Sequence, residues 1–140
     1  MTSVAALYTP EVLALATGLS RYPLSDNLSL RGEARSPTCG SAVTVGLALD
    51  AAGRIAAVGL RAHACAIGQA AAAIFADAAV GKDRAGLREA EVALARWLAG
   101  EGDAPDWPGL TAIAPARAYP ARHPAILLAW RAALAALPTA

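Results

Sequence analysis

Residues 42–62 read AVTVGLALDAAGRIAAVGLRA, and this stretch decides the fold. In its first half, Val43, Val45 and Leu47 alternate with smaller or polar residues, which is the period-two pattern of a strand with one buried face. Residues 50–53 (DAAG) have the composition of a hairpin turn in which Gly53 takes the left-handed conformation. We therefore predict a strand over residues 42–50, a tight turn, and a second strand over residues 54–62.

The segment before this hairpin predicts a further strand. Residues 28–35 (LSLRGEAR) alternate between two faces. Leu28, Leu30 and Ala34 lie on one face, and the charged residues Arg31, Glu33 and Arg35 lie on the other. Three consecutive strands with short connections form an antiparallel meander.

The remaining segments predict helices. Thr9 and Pro10 mark the N-cap and first turn of a helix to about residue 16, and Asp83 caps another helix that runs to about residue 99. A helix over 65–80 ends before Gly81, and a final helix starts around His123. Residues 100–119, rich in proline and glycine, predict a long insertion or lid. The expected fold is α+β, a three-stranded antiparallel sheet with helices packed on one face, in a single domain over residues 1–140.

Composition excludes several classes of function. Twelve Lys and Arg side chains nearly balance eleven Asp and Glu, so the chain lacks the basic charge of a nucleic-acid-binding protein. Alanine inflates the 56% hydrophobic content, and no strongly apolar run reaches the roughly 18–20 residues that a membrane span requires. The first ten residues lack the pattern of a secretory signal. We expect a cytoplasmic protein that binds neither nucleic acid nor membranes.

The two cysteines of the chain are the candidate functional residues. Cys39 lies in a loop of sequence SPTCG at residues 36–40, and Cys65 opens the alanine-rich helix, where the helix dipole and free amides stabilise a thiolate. In the cytoplasm such thiols are reduced or bind metal. Two thiols placed at a loop and at a helix N-terminus indicate a metal or sulfur site.

The order of motifs resembles the U-type iron–sulfur cluster scaffolds, which are IscU, SufU and the N-terminal domain of NifU. The resemblance extends from LYTPEVL at residues 7–13 to Trp130. SPTCG is similar to the first-cysteine loop of that family, usually Asn-Pro-x-Cys-Gly-Asp, and CAIG at residues 65–68 is similar to its second-cysteine helix start. The Gly-Lys at residues 81–82 and YPAR at residues 119–122 also match, and the insertion over 100–118 favours the SufU-like branch.

The resemblance implies a function as well as a fold. Members of the family build a labile [2Fe–2S] cluster, or hold zinc, on three cysteines and an aspartate or histidine, with sulfur from a cysteine desulfurase. By this resemblance the chain is a scaffold-like protein and not an enzyme. It would bind iron, an iron–sulfur cluster or zinc, or accept sulfur, through Cys39 and Cys65, and its partners would be a cysteine desulfurase and the proteins that receive clusters.

The chain departs from the family at three positions. The third cysteine falls on Ala125, the usual aspartate on Ser41, and the histidine of some members on Pro124. A [2Fe–2S] centre needs four protein ligands, so Cys39 and Cys65 alone cannot complete one within a chain. The sequence therefore indicates a degenerate member of the family.

Several alternatives follow from these departures. His63 and His123 could join the two cysteines in a Cys2His2 set that suits zinc, or else they are a strand-end surface residue and a helix cap. A cluster could bridge two subunits, with two cysteines from each. The chain could instead bind no metal and act as an interaction or regulatory module on cysteine desulfurase or a complete scaffold. A thiol–disulfide switch between Cys39 and Cys65 is a further hypothesis.

Overall fold

The structure, a computed structural model, describes residues 7–37 and 40–138 of the chain. Its sheet has three antiparallel strands in sequential order, as predicted: β1 (Leu30–Arg35), β2 (Ala42–Leu49) and β3 (Ile55–His63). The turn between β2 and β3 has Gly53 at φ +81°, and the Asp50 carboxylate accepts hydrogen bonds from the amides of Ala52 and Arg54, both at 2.9 Å. The hairpin is thus closed by the turn residues that the sequence indicated.

The described residues form four α-helices: α1 (Pro10–Thr17), α2 (Ala66–Ala79), α3 (Arg84–Leu98) and α4 (His123–Ala136). Thr9 and Asp83 cap α1 and α3 through their side-chain oxygens, which accept from the amides of Val12 at 3.1 Å and Gly86 at 2.8 Å. Shorter 3-10 helices cover Gly18–Arg21, Leu110–Ala118 and Pro120–Arg122. No helix in the described part of the chain is long and apolar enough to cross a bilayer.

The core lies between the inner face of the sheet and the helices. Val43, Val45 and Leu47 of β2 are fully buried there, and α4 packs along β1 and β2. Helix α2 packs against α1 and α4, with six of its eight alanines buried. Small side chains on α2 let these helices approach closely, so the alanine bias of the sequence has a packing role.

The segment expected to be an insertion or lid is part of the core. Trp107 is 4% exposed, stacks on Phe75 with ring centroids 5.6 Å apart, and donates from Nε1 to the carbonyl oxygen of Ile74 at 2.9 Å. Ile113 in the following 3-10 helix is also buried. A 3-10 helix that contains a proline has no 3.6-residue apolar period, so its burial was not visible in the sequence.

Four strand ends differ from the prediction by one or two residues: β2 ends at Leu49 and not at Asp50, β3 begins at Ile55 and not at Arg54, and the start of β1 and the end of β3 also differ. β1 begins at Leu30 and not at Leu28, because the Leu28 amide donates to the carbonyl of Ser25 in a turn at 3.1 Å. β3 continues one residue further, to His63, which pairs with Ala42 of β2. Both cysteine-bearing segments are therefore attached to the same end of the sheet.

Candidate functional site

The loop between β1 and β2 and the junction between β3 and α2 lie side by side. Ala42 pairs with Arg35 on one side and with His63 on the other, so the three strands reach this end of the sheet in register. The loop is closed by backbone bonds from Ser36 to the carbonyl of Ser41 at 2.8 Å and from Gly40 to the carbonyl of Ser36. Cys39 lies outside the described residues, between the ends that these bonds join.

Cys65 is the N-cap residue of α2. Its backbone is extended, with φ −63° and ψ 168°, and its side chain is half-buried against the core without making a capping hydrogen bond. The first amides of α2 and the positive end of the helix dipole therefore face this position. A sulfur atom that carries negative charge, as a thiolate or a metal ligand, is stabilised there.

Arg122 is the charged neighbour of this thiol. The pKa of Arg122 is raised above its ordinary value, mainly because its guanidinium hydrogen-bonds the Cys65 sulfur, while slight burial acts in the opposite direction and Tyr8 adds to the rise. The arginine ends the 3-10 helix before α4, and Tyr8 precedes α1. Tertiary packing thus places a cation from a distant part of the chain beside Cys65.

Arg122 and Tyr8 were not predicted as site residues from the sequence. Both were visible only as members of the matched motifs YPAR and LYTPEVL. These motifs were the only sequence signal that could have indicated a role at the site, since neither residue has a local pattern that links it to a cysteine.

His63 and His123 have different surroundings. His63 is exposed at the end of β3, on the outer face of the sheet that also carries Arg61. His123 is the first residue of α4, and its Nε2 donates to the carbonyl oxygens of Ala116 at 3.1 Å and Arg117 at 3.2 Å. The His123 ring therefore caps the end of the 3-10 helix Leu110–Ala118 and not α4, and within the described residues Nδ1 is the ring nitrogen left for a ligand.

No group of three or more His, Cys, Asp or Glu side chains that could hold a metal occurs within residues 7–37 and 40–138. The proposed set of Cys39, His63, Cys65 and His123 includes a residue outside this range and stays a prediction.

The position matched to the third cysteine is packed against α2. Ala125 is 2% exposed, and a Cβ placed on Gly68 would lie 3.4 Å from the Ala125 Cβ. Gly68 is one helical turn beyond Cys65, so position 125 adjoins the start of α2. The side chain present there is a methyl group, which binds no metal.

Solved structures with a similar fold are known. The N-terminal part of a nitrogen-fixing NifU-like protein from Brucella abortus superposes with a TM-score of 0.82 and 29% identity, over 95% of this chain and 93% of that one. The fold is that of NifU-like and SufU scaffold proteins. A SufU from thermophilic Fervidobacterium islandicum AW-1, assigned as an iron–sulfur cluster assembly scaffold for the SUF system, superposes with a TM-score of 0.84 and 21% identity. It covers 97% of this chain and 100% of that one.

A third solved structure, that of a hypothetical protein, is similar at 21% identity with a TM-score of 0.67, over 89% of this chain and 95% of that one. No protein-family model matches the sequence, and no curated protein matches it. The likeness to the NifU-like and SufU folds therefore rests on three-dimensional structure. It spans nearly the whole chain.

Proposed function

We propose that this chain is a scaffold-like protein of iron–sulfur cluster assembly, of the U-type family, and that it works without being an enzyme. The observation that carries the proposal is the likeness to the Brucella abortus NifU-like domain, with 29% identity over 95% of the chain. The SufU fold supports it, since that protein is assigned as a cluster assembly scaffold. A cytoplasmic location, where thiols stay reduced, suits this role.

Sulfur acceptance is the chemistry that the described residues support best. A cysteine desulfurase, the proposed partner, would present a persulfide, R–S–SH. The Cys65 thiolate would attack the outer sulfur, a new S–S bond would form, the old one would break, and the donor would leave as the thiolate R–S⁻. Arg122 beside Cys65 and the N-terminus of α2 offset the negative charge of the attacking sulfur. Cys39 is the second proposed acceptor.

Iron or cluster binding is the further part of the proposal. Cys39 and Cys65 would ligate iron as cargo, and the remaining ligands of a [2Fe–2S] cluster would come from a second subunit or from a cluster-receiving protein. Zinc bound by Cys39, His63, Cys65 and His123 is the alternative within one chain, with His123 using Nδ1 because its Nε2 is occupied. Sulfur acceptance needs one thiol, whereas either metal site needs four ligands.

A second candidate function is an interaction or regulatory module without metal. The packed methyl group of Ala125 and the buried hydroxyl residue Ser41, 5% exposed, favour it, because these positions match two family ligands. Such a module would bind cysteine desulfurase, or a complete scaffold, through the surface of the fold.

Sulfur transfer and metal content separate these functions. Anaerobically purified protein would be mixed with a cysteine desulfurase and ³⁵S-labelled cysteine, then run on a non-reducing gel. We expect label on the wild type that dithiothreitol removes, less label in Cys65→Ser and in Arg122→Gln, and no label when Cys39 and Cys65 are both replaced by Ser. Arg88→Gln, which removes an exposed charge on α3, is the matched control and should be labelled fully.

The same samples would be analysed for iron, zinc and acid-labile sulfide. Metal near one equivalent per chain that is lost in both Cys39→Ser and Cys65→Ser supports the scaffold. Absence of both label and metal, together with altered desulfurase turnover, would contradict the scaffold function and support the regulatory module.

A further inference from the structure

The outer face of the sheet is covered over only half of its length. Residues 22–28 cross one half, where the Leu60 amide donates to the carbonyl of Tyr22 at 2.9 Å. An added Cβ on Gly59 would meet the Pro23 carbonyl oxygen at 2.2 Å, and one on Gly46 would meet the Leu24 side chain at 2.8 Å. These glycines let the chain lie directly on the strands. The other half, toward Gly40, has no such cover within the described residues and forms an open groove of about 390 Å³.

The groove has a low floor and two polar walls. Ala42 and Thr44 of β2 form the floor, and the strand register sets Glu33 and Arg35 of β1 on one side and Arg61 and His63 of β3 on the other. The two walls are two strand spacings apart, which is about 10 Å. This width accommodates one extended chain lying along the strands.

The two walls differ in charge. On β1, the Glu33 carboxylate accepts from Arg35 Nε at 2.8 Å and from the Thr44 hydroxyl at 3.3 Å, so this wall is internally paired. On β3, Arg61 and His63 are exposed, and neither side chain has a hydrogen bond or ion pair within the part of the chain that the structure describes. An unpaired guanidinium and an imidazole therefore line one side of the groove. Glu33 lies two strands from Arg61, about 10 Å, which equals the Debye length at 0.1 M salt. Salt therefore screens the repulsion between Glu33 and an anion bound at Arg61 and His63.

We propose that this groove docks an extended acidic segment of a partner protein, with a carboxylate on Arg61 and His63. Charge complementarity selects the occupant, since arginine binds carboxylates in a planar, two-pronged geometry. The shape favours a peptide over a small molecule, because small ligands need pockets that enclose most of their surface. Gly40 lines the end of the groove and adjoins Cys39 in sequence, so a docked segment would bring its protein to that loop. This last point rests on the proposed function, whereas the docking itself does not.

The test is an NMR titration of the full ¹⁵N-labelled chain with an acetylated, amidated hexapeptide of alternating Glu and Gly. The matched probe carries Gln in place of Glu. We expect the Glu peptide, and not the Gln peptide, to shift the amide signals of Thr44, Arg61 and His63 at 50 mM NaCl, with weaker binding at 500 mM. Arg61→Gln should weaken binding about two- to fivefold, as for an exposed ion pair.

Arg54→Gln is the matched control, because it removes the same exposed charge at the other end of β3 and should leave binding unchanged. Equal shifts with both peptides, or no effect of Arg61→Gln, would overturn the proposal. Equal shifts with succinate at the same concentration would show that the groove binds any small carboxylate, and would contradict the proposed peptide. Cys39→Ser should bind the peptide normally whether or not it accepts sulfur, so a failure of the proposed function and a failure of the groove are seen separately.

Discussion

The close approach of α4 to β1 depends on Gly32. This residue lies on the inner face of β1, opposite Val45. A Cβ added there would lie 2.2 Å from the carbonyl oxygen of Ala132 and 2.5 Å from the amide nitrogen of Ala136. These are backbone atoms of a helix and cannot rotate aside, so Gly32→Ala must push α4 away from the sheet by roughly 1 Å to reach van der Waals separation.

The expected loss of stability follows from two opposing effects. Overpacking a core costs about 1–3 kcal/mol, and the rigid backbone contacts at Gly32 place this change at the upper end. Replacing glycine in a strand recovers roughly 0.5–1 kcal/mol of conformational entropy. We therefore expect Gly32→Ala to lower the free energy of unfolding by about 2 kcal/mol.

Urea denaturation followed by tryptophan fluorescence measures this change, because Trp130 of α4 is 1% exposed and reports on its packing. With a slope of about 2 kcal/mol/M, the midpoint should fall by about 1 M. Gly86→Ala is the matched control. Its Cβ would meet only the Asp83 carboxylate, at 3.3 Å, and within α3 it should stabilise by about 0.5–1 kcal/mol. A Gly32→Ala protein within about 0.5 kcal/mol of the wild type would refute the argued contact.

Three further predictions concern single interactions. Trp107→Phe keeps an aromatic ring in the core but loses the hydrogen bond to a backbone carbonyl of α2, so we expect the free energy of unfolding to fall by about 1–3 kcal/mol in urea denaturation. The pKa of Tyr22 is raised, mainly by its hydrogen bond to Asp77, and stability from this bond is present below the unfolded pKa and lost as pH rises through the folded one. Asp77→Asn should lower the pKa of Tyr22 in a ¹³C NMR titration, and an unchanged value would contradict the bond. The pKa of Glu33 is lowered, mainly by its hydrogen bond to Arg35, so its contribution is present above the unfolded pKa and lost as pH falls through the folded one. Arg35→Gln should raise the pKa of Glu33 in a carboxyl NMR titration, whereas no rise would show that the pair is not formed in solution.

Local rules were sufficient for most of the fold. The alternation around Val45 predicted β2 and its buried face, and Gly53 predicted the turn that follows. Thr9 and Asp83 each capped the helix that the sequence placed after it. Each of these signals acts over a few residues, so the sequence contains all the information that the element needs.

Local rules did not predict the burial of the segment over residues 100–119. Its prolines and glycines indicated a lid, yet Trp107 and Ile113 are buried in the core. Burial of this segment depends on the Phe75 ring of α2, against which Trp107 stacks. That contact joins residues far apart in sequence, and no periodic pattern records it.

The sequence by itself determined that Cys65 stands at a helix start and that a loop follows β1 at Ser36, because loop composition and helix patterns are local. Only the tertiary structure decided what surrounds these positions. It turned His63 to the outer face of the sheet and used the His123 ring to hold a 3-10 helix. It also brought Arg122 to Cys65, because α4 and the turn before it must pack against α2 to bury their apolar faces.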